Sequence, residues 1–367
     1  MELQQANVLF FTRTMKLGGT ENVVLQLCEI FKPLVNKIIV CSCGGVNVKK
    51  ISAMGITHYE IPDIEQKTPA VIFKTLSIVK EIIEKEQITV IHTHHRMAAF
   101  YTRLLIGKKK IAFFNTSHNT FTDKVRLTRF AYQKAHLIAC GSMVKKNLEE
   151  IYNLHDVAVI HNAVKPYDNT GENIPQLQKL KAKGCVLVGN VGRLSEQKGM
   201  EYFLESYPAV KKVCPNVKYI IIGDGEDKEK LLHQRDRISN EDDIIFLGYR
   251  NDIQNVIRQL DFVVLSSLWE GLPLTPIEAF SVGKTVIGTA VDGTVEIIED
   301  NKNGFLIPPK NSSAIAEKVI LLAENPDLCS KLEQKARETY QKNFSFERLA
   351  ENYVDAYKNW GNISGNN

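Results

Sequence analysis

Two glutamates stand eight positions apart in EGLPLTPIEAF, residues 270–280. Paired carboxylates suggest acid–base work, yet an eight-residue step along a helix is about 12 Å of rise. A glycoside-cleaving pair needs roughly 5–10 Å. The local grammar offers a separate role for the second glutamate: Thr275 as N-cap, Pro276 as first helical residue and Glu278 closing a capping box. That role leaves Glu270-Gly271-Leu272-Pro273 unexplained, a turn placed directly after the apolar run FVVLSS. Free amides at a helix N-terminus above a sheet bind anions, and a carboxylate beside them suits ribose or sugar hydroxyls next to a phosphate.

A second loop, GNVGRLSEQKG at 189–199, places Arg193 and Lys198 five positions apart between a strand and a helix. A planar guanidinium plus a point-charge ammonium fits a diphosphate, with two solvated surface charges as the alternative. The third loop, Lys16-Leu17-Gly18-Gly19-Thr20-Glu21, opens a helix on two glycines with Thr20 as N-cap. It lacks the G-x-G-x-x-G spacing of a dinucleotide fingerprint. His118, in NTSHNT, follows the run KIAFFN. The His92-Thr93-His94-His95 run has no carboxylate or cysteine at metal-ligand spacing. It lies at a strand end, where His94 and His95 read as cleft wall or acceptor surface, and no metal is expected. Asp224-Gly225-Glu226-Asp227 reads as a turn.

These loops need strands to carry them. Short apolar runs at 7–12, 37–43, 88–93, 110–116, 136–141 and 157–162 read as buried parallel strands, with helical periodicity between them, as in 70–86. The rhythm restarts at 186–192, 217–223, 244–248, 262–267, 285–288 and 304–308. The polar stretch between, with two prolines and a glycine, reads as a linker. The expected layout is α/β: a Rossmann-like domain over 1–165, a linker over 166–180, a second domain over 181–345, and a C-terminal helix with a disordered tail over 346–367. The C-terminal helix is expected to pack back on the first domain. Ligands in such sheets sit beyond the carboxyl ends of the strands.

Residues 266–279, by order and spacing, resemble the E-x7-E signature of retaining GT-B glycosyltransferases of family 4, and the other loops agree with that resemblance over most of the chain. It implies two doubly wound domains facing across a cleft and transfer of a hexosyl group from a nucleotide sugar, UDP-linked by expectation. It places Glu270 on the donor sugar and Glu278 on the ribose hydroxyls. Arg193, Lys198, Gly18, Gly19, Gly271 and Leu272 would lie along the diphosphate, His118 at the reaction centre, and Tyr249 and Arg250 at the base. The nucleotide sugar is a substrate, so no cofactor is implied. A sugar-nucleotide epimerase, or a nucleotide-sugar-binding subunit without activity, are the alternatives on the same architecture.

Composition sets the bounds. The 367 residues are 44% hydrophobic and 24% charged, enough for two cores. Seven cysteines sit singly or inside apolar runs and read as reduced thiols, which fits a cytoplasmic setting. No apolar stretch approaches the ~20 residues of a membrane span. Residues 1–165 hold 22 Lys and Arg against 13 Asp and Glu, and the remainder holds 24 against 29. The basic half, with Lys108–Lys110, Lys124, Arg126, Arg129 and Lys134 interleaved with Phe121, Val125, Leu127 and Phe130, would meet an anionic membrane surface peripherally or a lipid-linked acceptor. A solvated face is the plain alternative. A glycan or lipid-linked acceptor in capsule, exopolysaccharide or wall-glycan synthesis, and no nucleic acid, completes the expected partners.

Overall fold

The computed structural model describes residues 2–107, 109–291 and 293–363. It divides into two compact units. Unit 1 runs to Asn162 and resumes at Leu349, and unit 2 is Ala163–Arg348.

Unit 1 is built from β1 (Asn7–Phe11), α1 (Gly19–Phe31), β2 (Lys37–Ser42), α2 (Val48–Ala53), β3 (Thr57–Glu60), α3 (Pro69–Lys85), β4 (Val90–Thr93), α4 (Arg96–Ile106), β5 (Ala112–Ser117), α5 (Val125–Tyr132), β6 (His136–Ala139), α6 (Ser142–Glu150) and β7 (Ala158–Val159). Among the described residues the sheet order is β3-β2-β1-β4-β5-β6-β7. Every pairing is parallel, with Leu9 opposite Ile39 on one side and Ile91 on the other. All five residues of β1 are buried, as a strand covered by helices on both faces requires. β3 has no counterpart among the strands expected from sequence. It is an edge strand whose sequence THYE carries no apolar run, because both of its ends reach solvent.

Unit 2 repeats the plan with α7 (Pro175–Ala182), β8 (Val186–Val191), α8 (Met200–Val213), β9 (Val217–Ile222), α9 (Lys228–Ile238), β10 (Ile244–Gly248), α10 (Ile253–Ile257), β11 (Phe262–Leu265), α11 (Leu274–Ser281), β12 (Val286–Thr289), α12 (Thr294–Ile297), β13 (Gly304–Ile307), α13 (Ser312–Glu324) and α14 (Pro326–Thr339). Its order is β10-β9-β8-β11-β12-β13, again all parallel. In the core, Phe203 stacks on Tyr219 at 4.0 Å between ring centres. Truncating such a fully buried ring costs about 3–5 kcal/mol. In both sheets the winding direction reverses once, between β1 and β4 in unit 1 and between β8 and β11 in unit 2. Loops at the carboxyl ends of those strands flank a crevice suited to ligands.

Two expectations need correction. The segment that reads as a linker is structured from its middle onward: Pro175 starts α7, where its missing N–H costs nothing. Ahead of that helix, the Arg258 guanidinium donates to the Gly171 carbonyl at 2.8 Å, and Gly171 N–H donates to the Tyr167 hydroxyl at 2.9 Å. The polar composition of this stretch reflects side chains bonded to backbone, and it belongs to unit 2. The tail that reads as disordered from Gly361 is helical at its start, since α15 (Phe346–Ile363) continues through it; residues 364–367 lie outside the described residues. Lys108, named in the basic cluster, also lies outside them.

From Leu349 onward α15 belongs to unit 1. The Tyr357 ring stacks on Phe31 at 4.3 Å and on Phe114 at 4.5 Å, and its hydroxyl lies 2.8 Å from His92 Nδ1. The Tyr353 hydroxyl lies 3.1 Å from that of Thr116. The helix thus contributes core rings and closes hydrogen bonds that the sheet alone would leave open.

Candidate functional site

In unit 2 the loop after β8 is fastened to the loop after β11. The Ser266 hydroxyl donates to the Lys198 carbonyl at 2.9 Å and accepts from Asn190 Nδ2 at 2.9 Å. Leu268 N–H donates to the Gln197 carbonyl at 2.8 Å. Gly199 takes φ +54°, and a Cβ there would lie 2.4 Å from the Ser266 carbonyl oxygen, so this turn needs glycine on both counts. Between the fastened loops the Lys198 ammonium donates to Glu270 Oε1 at 2.6 Å, and the Ser267 hydroxyl donates to the same oxygen at 2.6 Å. The Lys198 and Glu270 side chains are 18% and 7% exposed, so water screens their pairing weakly. Two motifs that are 72 residues apart in sequence therefore make one contact.

The helix after this turn starts earlier than its sequence suggests. Pro273 occupies the N-cap of α11 and no side chain caps the helix. Thr275 sits inside the first turn, where its hydroxyl donates to the Val191 carbonyl at 3.4 Å. The capping box is absent, because Pro273 already provides the extended backbone that an N-cap needs. Glu278 therefore has no capping role. Its carboxyl is pushed up to about 7 by burial, with Lys198 pulling the other way. It opens on a cavity of about 390 Å³ whose wall includes Lys165, Tyr167, Asp168 and Gln254. Arg193 is exposed, and Tyr249 is 62% exposed. Arg250 is engaged by its own loop: its guanidinium holds Asp252 in two hydrogen bonds of 2.8 and 2.7 Å.

In unit 1, β4 ends in the histidine run and β5 leads to His118. His92 is a core residue, bonded through Nδ1 to Tyr357 and through Nε2 to Thr116, each at 2.8 Å. Burial pushes it down to about 3, so it stays neutral. His94 stacks on it at 4.4 Å and meets His118 with Nδ1 3.1 Å from His118 Nε2. Burial lowers both, His118 to about 4 and His94 well below its usual value. Between two neutral rings one nitrogen donates and the other accepts, so the tautomer of His94 sets that of His118. His95 instead caps α4, accepting from Met97 N–H at 3.2 Å, with its Nε2 3.4 Å from Glu65. In the glycine loop, Gly18 is the N-cap of α1 and Thr20 lies inside the helix, so Thr20 does not cap as expected. Gly18 has extended backbone, which lets α1 begin two residues earlier than a capping threonine would.

Residues 174–339 match the family described as glycosyl transferases group 1, and residues 17–167 match glycosyltransferase family 4. The chain is a glycosyltransferase of this group 1, family 4 type. Among curated relatives, the glycosyltransferase is 24% identical over 86% of its length to an uncharacterized glycosyltransferase of Methanocaldococcus jannaschii, covering 85% of that protein. It is 26% identical over 77% of its length to UDP-Gal:alpha-D-GlcNAc-diphosphoundecaprenol alpha-1,3-galactosyltransferase of Escherichia coli, covering 79% of it. A solved glycosyltransferase from Rickettsia africae superposes with a TM-score of 0.85 at 22% identity, over 99% of this chain and 100% of the other. An Anabaena protein solved in complex with UDP superposes with a TM-score of 0.80 at 20% identity, over 96% and 99%. These likenesses give the fold as GT-B, two Rossmann-like domains.

Of the residues singled out in sequence, the glycosyltransferase brings Lys198 to Glu270 and His94 to His118. It leaves Arg193 on the surface and pairs Arg250 with Asp252 in its own loop. Sequence reasoning misses what surrounds the histidines. A cavity of about 400 Å³ in unit 1 is lined by Arg13, Glu21, Glu65, Lys67, His94, His95, Arg96, His118 and Lys124, among others. These come from separate loops, and no local spacing could have announced them.

Proposed function

We propose that this glycosyltransferase is a retaining enzyme that takes its sugar from a UDP-linked donor held by unit 2 and passes it to a glycan or lipid-linked acceptor held by unit 1. The supporting observation is the Lys198–Glu270 contact at the point where the sheet of unit 2 reverses its winding. A cation for the leaving diphosphate and a carboxylate for the sugar hydroxyls stand side by side there, on loops hydrogen-bonded to each other.

In this reading Arg193 and Lys198 stabilise charge that builds on the departing diphosphate. The amides of Gly271 and Leu272 line the phosphate and sugar, and Gly18 and Gly19 approach the diphosphate. No metal or cofactor is required. Glu278 holds the ribose hydroxyls, and backbone near Tyr249 and Arg250 contacts the base. Glu270 and His118 contact the transferring sugar. The acceptor hydroxyl attacks the anomeric carbon from the face the diphosphate is leaving. The carbon–oxygen bond to phosphate breaks as the new one forms, and the hydroxyl proton passes to the departing phosphate oxygen. That sequence retains configuration without a covalent enzyme intermediate.

The Escherichia coli relative's diphosphoundecaprenol acceptor and the Anabaena protein's UDP support the classes named here. Capsule, exopolysaccharide or wall-glycan synthesis is the pathway class such an acceptor serves. Among the described residues no helix is long and apolar enough to cross a membrane. We assign contact with an anionic bilayer to the outer face of α5, where Arg126, Arg129 and Phe130 are exposed. Sedimentation with vesicles tests that assignment: equal binding to neutral and anionic lipid would remove it. For the main reading, calorimetry with UDP and product analysis with UDP-sugars is decisive. Glu270→Ala should abolish transfer. If that variant transfers normally, or UDP-sugars yield neither free sugar nor product with the native enzyme, the reading fails.

A further inference from the structure

The cavity of unit 1 carries two lysines that its own walls pair only loosely. Arg13 is fully engaged by Asp63 through hydrogen bonds of 2.8 and 2.9 Å, and Arg96 holds Asp123 at 2.8 Å while lying over the Phe121 ring at 4.9 Å. The two lysines fare differently. Lys67 comes no closer than 3.8 Å to Glu65, a carboxylate already 3.4 Å from His95 and 3.8 Å from Arg13. Lys124 comes within 3.6 Å of Asp123, which Arg96 holds more tightly. Among the described residues neither lysine reaches hydrogen-bond distance of an anion. The Lys67 ammonium is held below its usual value first by the Lys124 side chain beside it, then by burial. Neighbouring ammonium groups repel each other, more strongly near a protein surface than in bulk water. A cluster of this kind is stable in the presence of a bound anion.

Two further features of the same cavity favour a polyhydroxylated anion. Lys124 is the N-cap residue of α5, whose first turn has no capping side chain and no acidic residue. Its first turn therefore brings no anionic side chain of its own to its leading amides, the nearest in sequence being Asp123, which Arg96 holds. His94, 4% exposed, lines the cavity, and its Nε2 has no partner among the described residues. A buried ring nitrogen without a partner is destabilising, and a hydroxyl of a bound ligand would satisfy it. Of the two carboxylates in the lining, Glu21 is occupied by the Thr14 hydroxyl and Glu65 is shared as above.

We propose that this cavity binds an acceptor bearing a phosphate or diphosphate ester, with Lys67, Lys124 and the N-terminus of α5 on the phosphate and His94 on a sugar or polyol hydroxyl. This rests on unit 1 holding the acceptor. Lys67 and Lys124 are then the residues that select phosphorylated over neutral acceptors. Through His94 the bound hydroxyl also fixes which nitrogen of His118 carries hydrogen.

The test uses the full chain with UDP saturating, so that the donor side is filled. Binding of N-acetylglucosamine 1-phosphate and of N-acetylglucosamine is measured by calorimetry, for the native protein and for Lys67→Gln/Lys124→Gln. Both lysines are exposed and the double variant should fold, which unchanged UDP affinity would verify. The expected result is a preference for the phosphorylated sugar that falls about tenfold or more in the variant, equivalent to about 1.4 kcal/mol. A parallel arm compares phosphatidylcholine vesicles doped with phosphatidylinositol or with phosphatidylserine. Preference for the polyol headgroup, lost in the variant, assigns the phosphate to a lipid; loss confined to the free sugar phosphate assigns it to a soluble acceptor. If neither arm distinguishes variant from native protein, the proposal is overturned. Failure of UDP itself to bind would instead overturn the reading of unit 2.

Discussion

Replacing Glu278 by glutamine probes the second glutamate of the pair, because the amide keeps the shape of a neutral carboxyl and cannot ionise. In the folded protein burial raises this carboxyl from 4.5 to about 7. The folded state thus binds the proton more tightly than the unfolded chain. Stability from this group is fully present below pH 4.5 and is lost as pH rises, the loss being complete above about pH 7. At about 1.4 kcal/mol per pH unit, that interval corresponds to no more than about 3.5 kcal/mol. Urea unfolding of both proteins should give similar stabilities near pH 4.5. At pH 8 the glutamine variant should be the more stable by up to about 3.5 kcal/mol. Ligand affinity should move the other way. In the proposed role an ionised Glu278 would accept ribose hydroxyls in charge-assisted bonds, stronger than neutral ones by about 1 kcal/mol. UDP should therefore bind the native protein roughly fivefold more tightly at pH 8 than at pH 6, after subtracting the variant's profile, which carries the titration of UDP itself. Parallel stability curves for the two proteins across this range would refute the assignment of a buried, proton-holding carboxyl at this position.

Removing one partner of the Lys198–Glu270 contact leaves a charge that is mostly buried. Lys198→Met and Glu270→Gln should each destabilise by about 3 kcal/mol, and the double variant by much less than their sum; additive losses in denaturant titrations would count against a coupled pair. Tyr357→Phe deprives His92 Nδ1 of its hydrogen bond and should cost about 1–3 kcal/mol in unfolding experiments, with Tyr353→Phe costing less because Thr116 keeps its bond to His92. His94→Phe should lower kcat more than it raises KM, and His94→Asn, which can restore a donor toward His118, should recover part of the loss; equal kinetics for the two variants would show that His94 does not set the tautomer of His118.

Apolar runs announce nearly every strand of both sheets, since a parallel sheet buried on both faces must be written in Val, Ile and Phe. The exceptions are physical. THYE forms an edge strand that needs no such run, and of VAVIHN only Ala158–Val159 pairs, at the opposite edge. Turn chemistry misleads where two starts compete: Thr275 and Thr20 are good caps, but Pro273 and Gly18 already have the extended backbone two residues earlier. The candidate groups of unit 2 are visible as separate motifs, because each follows a strand. Their direct pairing is not, since it depends on loops joined across 72 residues. The Lys67–Lys124 cluster gives no local sign at all. Its members come from loops after β3 and β5, strands with β2, β1 and β4 between them, so only loops that reach across the end of the sheet put both lysines in one lining.

The return of α15 to unit 1 has a consequence for biosynthesis. Unit 2 is one uninterrupted segment, whereas unit 1 is made from both ends of the chain. During translation unit 2 has all its residues while unit 1 still lacks the tyrosines that cover His92 and Phe114. A ribosome that stopped shortly after residue 348 would release a chain whose second half is finished and whose first half, though made earlier, is still open.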